Sequence, residues 1–570
     1  MRRPVPSAVV LLLAVAFATG CNEKSRELTM PADLLALLPA APAVLVATPG
    51  LDATDKALAD LDAHSVDKPL LSPPVRAQLD LRAALDRAVP GLSALVDPAR
   101  PLALAVVAPP PMSGDVGLTL VLPLLDPQAT LPALPPPFQV TVARGRYVAL
   151  ASDPAHAARD TVPTLAVGLK PGIATLAVDL QGLISQYRGL LEMGLGMMAM
   201  APAQDPAQPD AAAPMTPAEA QALVAMARGL LDSAQRLDLA LDLDEGRLAV
   251  TGMFGIRPDG PLQPGPQPDF ATAAALGSLL PPDADVLQVS AVDQSRELDF
   301  SREYYLAGVA RQAATMPPEQ GAALLSWFEG YLALAPGMAC PSAAALDFGE
   351  AGIRLLAVLR PDHPAALAEA LAGQMARLEQ IGLGVAFVPV ESDRFDGVAV
   401  QRWRLEIDEA AVAALGQART TSPGAAQAAQ MVTMLRSLLP ELSLATVGGH
   451  VLLGATADSE PFAALVARAG QRVGKPDARV AEAADAAGPD TRQMLVGDLT
   501  PLANWMIAAT RSMAGFEGMP PLDVPIPFAA VTTAGPAGYG FSIGTDASAI
   551  RAAVAATEAM VRWRNGGPQP

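Results

Sequence analysis

Five phrases of this 570-residue chain occur twice, in the same order. Leu37-Leu38-Pro39 leads into the strand-like Ala43-Val44-Leu45-Val46-Ala47. Leu279-Leu280-Pro281 leads into Asp285-Val286-Leu287-Gln288-Val289. Residues 116–122 before Asp126-Pro127 match 351–359 before Pro361-Asp362, and the hairpin 140–150 matches 444–454 with Gly145 set against Gly449. Ala177-Val178-Asp179-Leu180 matches Val496-Gly497-Asp498-Leu499, and 237–253 matches 528–545 with Val250 in the place of Ser542. An internal repeat constrains a fold more than composition does, because both copies must build the same elements. Five weak matches in one order predict a tandem duplication.

Between the copies, residues 257–269 hold five prolines in thirteen positions, which neither helix nor central strand accepts, so this stretch predicts an extended linker. The expected organisation is a first module over 31–256, the linker over 257–269, a second module over 270–563 and a disordered tail over 564–570. Within the modules, Leu237, Leu239, Leu241 and Leu243 alternate with Asp238, Asp242 and Asp244. That period of two predicts an antiparallel strand with one dry and one wet face. A second hairpin is expected from 385–390 to 398–407. Helices are expected at 55–62, 79–97, 303–314, 319–334, 365–380, 409–418, 425–438 and 547–563. Thr216, Pro217 and Glu219 form a capping box that opens another, with Leu223, Met226, Leu230 and Leu231 at helical spacing. The expected class is α+β: two tandem related modules, each a mainly antiparallel sheet with helices packed on one face.

The opening residues speak to attachment. Arg2 and Arg3 precede an apolar run over 8–19, which as a helix reaches only about 18 Å and falls short of a ~30 Å hydrocarbon core. A charged n-region and a short apolar core are the marks of an export signal. The run ends in Ala18-Thr19-Gly20-Cys21, which resembles the lipobox of bacterial lipoproteins, with Ala18 where leucine is commonest. The resemblance covers residues 1–21. It implies cleavage of 1–20, diacylglycerol on the Cys21 sulfur, an acylated new N-terminus, and a polar tether over 21–30. More than one acyl chain is what stable anchoring requires. Asn22, in place of the aspartate that often retains such proteins at the inner membrane, leans toward the outer membrane. The lipid bilayer is then the first partner.

Without residues 1–20 the chain carries 58 acidic against 37 basic side chains, a net charge of −21. That surface repels nucleic acid and anionic head groups. Only 17% of residues are charged and 51% are hydrophobic, which favours folded domains over disorder. After the signal no stretch of 18 apolar residues remains to span a bilayer. With Cys21 acylated, Cys340 has no partner for a disulfide. Its apolar neighbours Met338, Ala339 and Pro341 predict a buried, inert thiol.

Several motifs resemble chemistry. Gly540-Phe541-Ser542-Ile543-Gly544 matches the hydrolase nucleophile pattern, yet His64, His156, His363 and His450 all precede it, whereas that family places its histidine after the serine. Asp347-Phe348-Gly349 matches a kinase triplet without its companions and suits a hairpin turn. Gly194 to Ala199 matches a dinucleotide pattern but lies late in a helical segment instead of opening one. Asp242, Asp244 and Gly246 suggest a calcium loop that would have to begin at Leu241, which cannot ligate. No histidine or cysteine pair has zinc spacing. Met193, Met197, Met198 and Met200 could bind soft metals or apolar ligands, and are expected to be core. No catalytic, metal or cofactor residue is assigned. The expected function is a membrane-anchored envelope lipoprotein with a non-enzymatic binding or structural role. A carrier of lipid or another apolar ligand is the alternative, and a hydrolase with an unrecognised carboxylate site the second.

Overall fold

The structure is a computed structural model. It describes residues 28–546 apart from 64–79, 112–115, 154–161, 171, 201–215, 245–246, 266–268, 294, 350–351, 383, 391, 409, 411–440, 472, 489, 515–520 and 523–524. Cys21, the tail 564–570 and the helices expected at 425–438 and 547–563 lie outside the described residues. The class is α+β, with twelve helices and nineteen strands among the described residues. Two compact units emerge, one of Met1–Glu192, Leu231–Gln263 and Ile526–Glu558, the other of Met193–Leu230, Pro264–Pro525 and Ala559–Pro570.

The first unit begins with β1 (Val44–Thr48), β2 (Leu102–Val107), β3 (Gly117–Pro123), β4 (Val140–Arg144) and β5 (Tyr147–Ala151). It continues with β6 (Ala174–Val178), β7 (Ala234–Asp244) and β8 (Arg247–Ile256). β1 lies between β2 and β6, with β3, β5 and β4 following on one side and β7 and β8 on the other, all antiparallel. Successive residues feed two different cores. Leu45, Ala47, Ala103, Ala105, Val121, Tyr147 and Ala149 pack under Leu34, Leu37, Leu38, Leu165 and Leu169. Leu102, Leu120, Leu122, Val148 and Leu150 pack under Leu51, Leu85, Val89 and Leu92.

The sheet of this unit is therefore covered on both faces, not on the one expected. Its strands are the reason: β5 is buried at all five positions, and apolar side chains on both faces demand two covers. The helix Leu51–Ala63 is longer than expected, while that expected over 79–97 stops at Ala88, before Pro90-Gly91.

The second unit holds β9 (Val286–Ser290), β10 (Ser342–Gly349), β11 (Gly352–Leu359), β12 (Val385–Pro389) and β13 (Asp393–Phe395). Then come β14 (Val398–Ile407), β15 (Glu441–Val447), β16 (His450–Ala455) and β17 (Thr491–Asp498). β9 lies between β10 and β17, and β11, β16 and β15 follow beyond β10. β14 extends the sheet past β15 and carries β12 and β13 on its far side. The core gathers Leu334, Cys340, Leu359, Leu367, Phe387, Trp403 and Leu405, which come from two helices, three strands and one loop. The capping box forms: Glu219 N donates to Thr216 Oγ1 at 3.2 Å, Thr216 N donates to Glu219 Oε2 at 2.8 Å, and Pro217–Ser233 is helical.

The last hairpin, β18 (Pro527–Gly535) and β19 (Gly538–Asp546), belongs to the first unit. β19 pairs antiparallel with β8 along its whole length, and Ser542 faces Thr251. Hairpin turns give the residue correspondence more sharply than phrases do. Gly145 and Gly448 share φ +56 at their turns, so Tyr147 corresponds to His450. Likewise Asp244 pairs with Arg247 and Gly535 with Gly538, so Ser542 corresponds to Thr251 and not to Val250. Ser542 thus sits across from the residue as far from its own turn as it is.

Candidate functional site

In the second unit two chain reversals meet around a cavity of about 630 Å³. One reversal ends the helix Pro318–Met338, where Ala339 N still donates to Ala335 O at 3.1 Å and Cys340 N turns back to Met338 O at 2.8 Å. The other links β11 to the helix Pro364–Arg377, with Pro364 in the first helical position. Arg360 N donates to Pro341 O at 2.9 Å and ties the two together. Leu334, Cys340 and Leu367 form an apolar floor, and Arg360, Asp362, His363 and Asp269 stand at the rim.

The chemistry available here is recognition. Burial, with the charge of Asp362 adding to it, pushes the Cys340 thiol up to about 11. It is protonated at neutral pH and is no nucleophile. Asp269 is held below the usual carboxylate range by the Thr272 hydroxyl and by the backbone amides of Ala271 and Thr272, because it caps the helix Phe270–Leu276. Its lone pairs serve the fold. A dry floor under a mixed-charge rim suits an apolar or amphiphilic group.

The first unit carries a second cluster of perturbed charges, which the sequence did not reveal. Arg236 donates to the carbonyls of Leu165 and Val167 at 3.0 Å and of Thr164 at 3.3 Å, and to Asp238 Oδ1 at 2.8 Å. Asp238 is 8% exposed, and burial pushes its carboxyl up against the pull of Arg236. Burial pulls the amine of Lys170 down, with Asp238 opposing. One guanidinium holding three carbonyls fixes the loop 163–170. The legible signal was Arg236 two residues from Asp238 on one strand face, but its loop partners lie some seventy residues away.

Ser542 lies inside β19, paired with Val531 and Thr251, and not on a strand-to-helix turn. Asp347-Phe348-Gly349 closes β10 at the Gly349–Gly352 turn, where Asp347 accepts from Arg354 at 2.7 Å and from Asp285 N at 3.0 Å. Gly194 to Ala199 lies within the helix Leu180–Met200. Asp242 and Asp244 end β7, and no group of three possible metal ligands occurs among the described residues. Cys340 is buried, as its neighbours predict. The methionines correct an expectation: Met193, Met197 and Met198 are 58%, 60% and 49% exposed. Apolar residues surround the end of that helix on every side, so some of them must face outward. No protein-family model, curated protein or solved structure matches the chain.

Proposed function

We propose that the chain is a lipid-anchored protein of the bacterial envelope, held by an acylated Cys21, whose duplicated α+β body binds a partner and catalyses nothing. Ala18-Thr19-Gly20-Cys21 at the end of a short apolar run carries the reading. Supporting it, no described helix is long and apolar enough to cross a membrane, so attachment falls to the acyl chains. The duplication is supported by the pairings: β2-β1-β6 with β3, β5 and β4 has the same order as β10-β9-β17 with β11, β16 and β15. Asn22 favours the outer membrane. Cys21→Ser is expected to move the protein from the membrane fraction to the soluble fraction with its circular dichroism unchanged. Retention of the folded variant in membranes overturns the proposal.

A second reading, a carrier of lipid or another apolar ligand, is favoured by the cavity over Leu334, Cys340 and Leu367. Mass spectrometry of solvent extracts from the purified soluble variant tests it, and an extract free of lipid removes it.

A further inference from the structure

The first unit has two covered sheet faces, and only one of them can lie toward an anchoring membrane. We infer that the cover bearing Val162 and Val167 rests on the bilayer and inserts these side chains among the lipid head groups. The inference rests on the lipid-anchor reading above.

The length of the tether and its point of entry carry the argument. Leu28 N donates to Leu169 O at 3.2 Å, so the chain joins the body on the loop 163–170. Met30, Leu34, Leu37 and Leu38 then run beneath it into the same core. Leu28 is seven residues on from Cys21, a reach of at most about 25 Å. A compact body of roughly 250 residues has a radius of gyration of about 18 Å and is some 45 Å across. A tether that short keeps its own side of the body against the lipid.

That side presents apolar residues at the right place. Val167, at 62%, is the most exposed large hydrophobic side chain among the described residues, and Val162 beside the same loop is 57% exposed. One residue, Gly168, separates Val167 from Leu169, whose carbonyl receives Leu28. Arg236 clamps the loop through the Thr164, Leu165 and Val167 carbonyls, so the valines are offered on a fixed support and lose little freedom on insertion. Gly168, at φ +70, has open space where a side chain would begin. Lys170 is partly buried and interacts with Asp238, so it offers little charge to the lipid, as suits a processed chain of net charge −21 that anionic lipid would repel.

The opposite cover supplies the control. Leu85 of the helix Leu81–Ala88 packs on the other face of the sheet, and Ala88 of that helix is exposed. Full-length acylated protein carrying Val167→Cys or Ala88→Cys is labelled with nitrobenzoxadiazole, to which Cys340 with its buried thiol is inert. Each is bound to vesicles of phosphatidylethanolamine and phosphatidylglycerol, with or without nitroxide-bearing phospholipid, and binding is read by flotation. The nitroxide lipid is expected to quench the label at 167 several-fold and to leave the label at 88 unchanged. Protein that floats with both labels unquenched, or both quenched alike, overturns the inference and leaves the anchor standing. Protein that does not float overturns the anchor reading, and this inference falls with it.

Discussion

Tyr147 and His450 hold the same position in two hairpins, the first residue after the turn, and both are buried, at 2% and 7% exposure. Each also hides a polar atom, Tyr147 Oη and His450 Nδ1, that makes no well-formed hydrogen bond among the described residues. Burial pushes the tyrosine up and the histidine down. One cause acts in opposite directions because low polarity disfavours the charged form, which is the deprotonated tyrosine but the protonated histidine. The surroundings of the hairpins differ. β4 has β5 as its one described strand partner, and none of its residues is fully buried, whereas β15 lies between β16 and β14 and buries Ser443, Leu444, Ala445 and Val447. β4 thus has one described neighbour where β15 has two, and its composition follows: Thr141 and Arg144 face water.

The strongest way to break this contrast is to attack the added strands. Arg402 on β14 is 17% exposed and bridges Asp393 on β13 and Glu441 on β15. Arg402→Leu leaves Glu441 to Arg404 alone and Asp393, 45% exposed, to water, and is expected to destabilise the second unit by about 2 kcal/mol. Urea denaturation measures this, and a loss below about 1 kcal/mol would show that the added strands hold without the bridge.

Next in size is a pH effect. With its folded pKa below that of the unfolded chain, His450 contributes full stability above about pH 6.5, and stability is lost as pH falls below it, by at most about 1.4 kcal/mol per pH unit. Thermal unfolding of His450→Phe should depend less on pH than the parent between pH 7 and 5. Parallel curves would remove the histidine from the account.

Tyr147→Phe makes the smallest change. Removing this buried hydroxyl, which has at most a weak contact with Arg100, should alter stability by less than about 1 kcal/mol at neutral pH. The folded pKa of Tyr147 is raised, so the parent loses stability as pH rises through about 10 and beyond. The variant should be spared this in alkaline melts. Acid sensitivity at His450 with alkaline sensitivity at Tyr147 is the sharpest form of the comparison.

Much of the local structure was legible in the sequence. The capping box at Thr216 and Glu219, the hairpin around Asp393 and the burial of Cys340 all follow from a few adjacent residues. Register was not legible. Phrase matching set Gly145 against Gly449 and Ser542 against Val250, whereas counting from the turns sets Gly145 against Gly448 and Ser542 against Thr251, and in a strand one residue exchanges the two faces. Leucine and valine tolerate such a slip in an alignment, while hydrogen bonds and turn dihedrals do not. The cavity was also beyond reach, because its floor joins Leu334 and Cys340 to Leu367 through tertiary packing. The two-sided cover of the first sheet was written in the unbroken apolar run of β5, but a short apolar run cannot by itself name what covers it.

The pairing of β19 with β8 joins residues nearly 300 positions apart. During synthesis the first unit remains unfinished until residues through Asp546 have left the ribosome. Until then β8 presents ten residues of bare edge, Leu248-Ala249-Val250 among them, to any neighbouring strand. Completing the chain protects it. A product truncated before Pro527 keeps that edge permanently open, which makes such fragments natural targets for chaperones and proteases and favours release of the intact molecule.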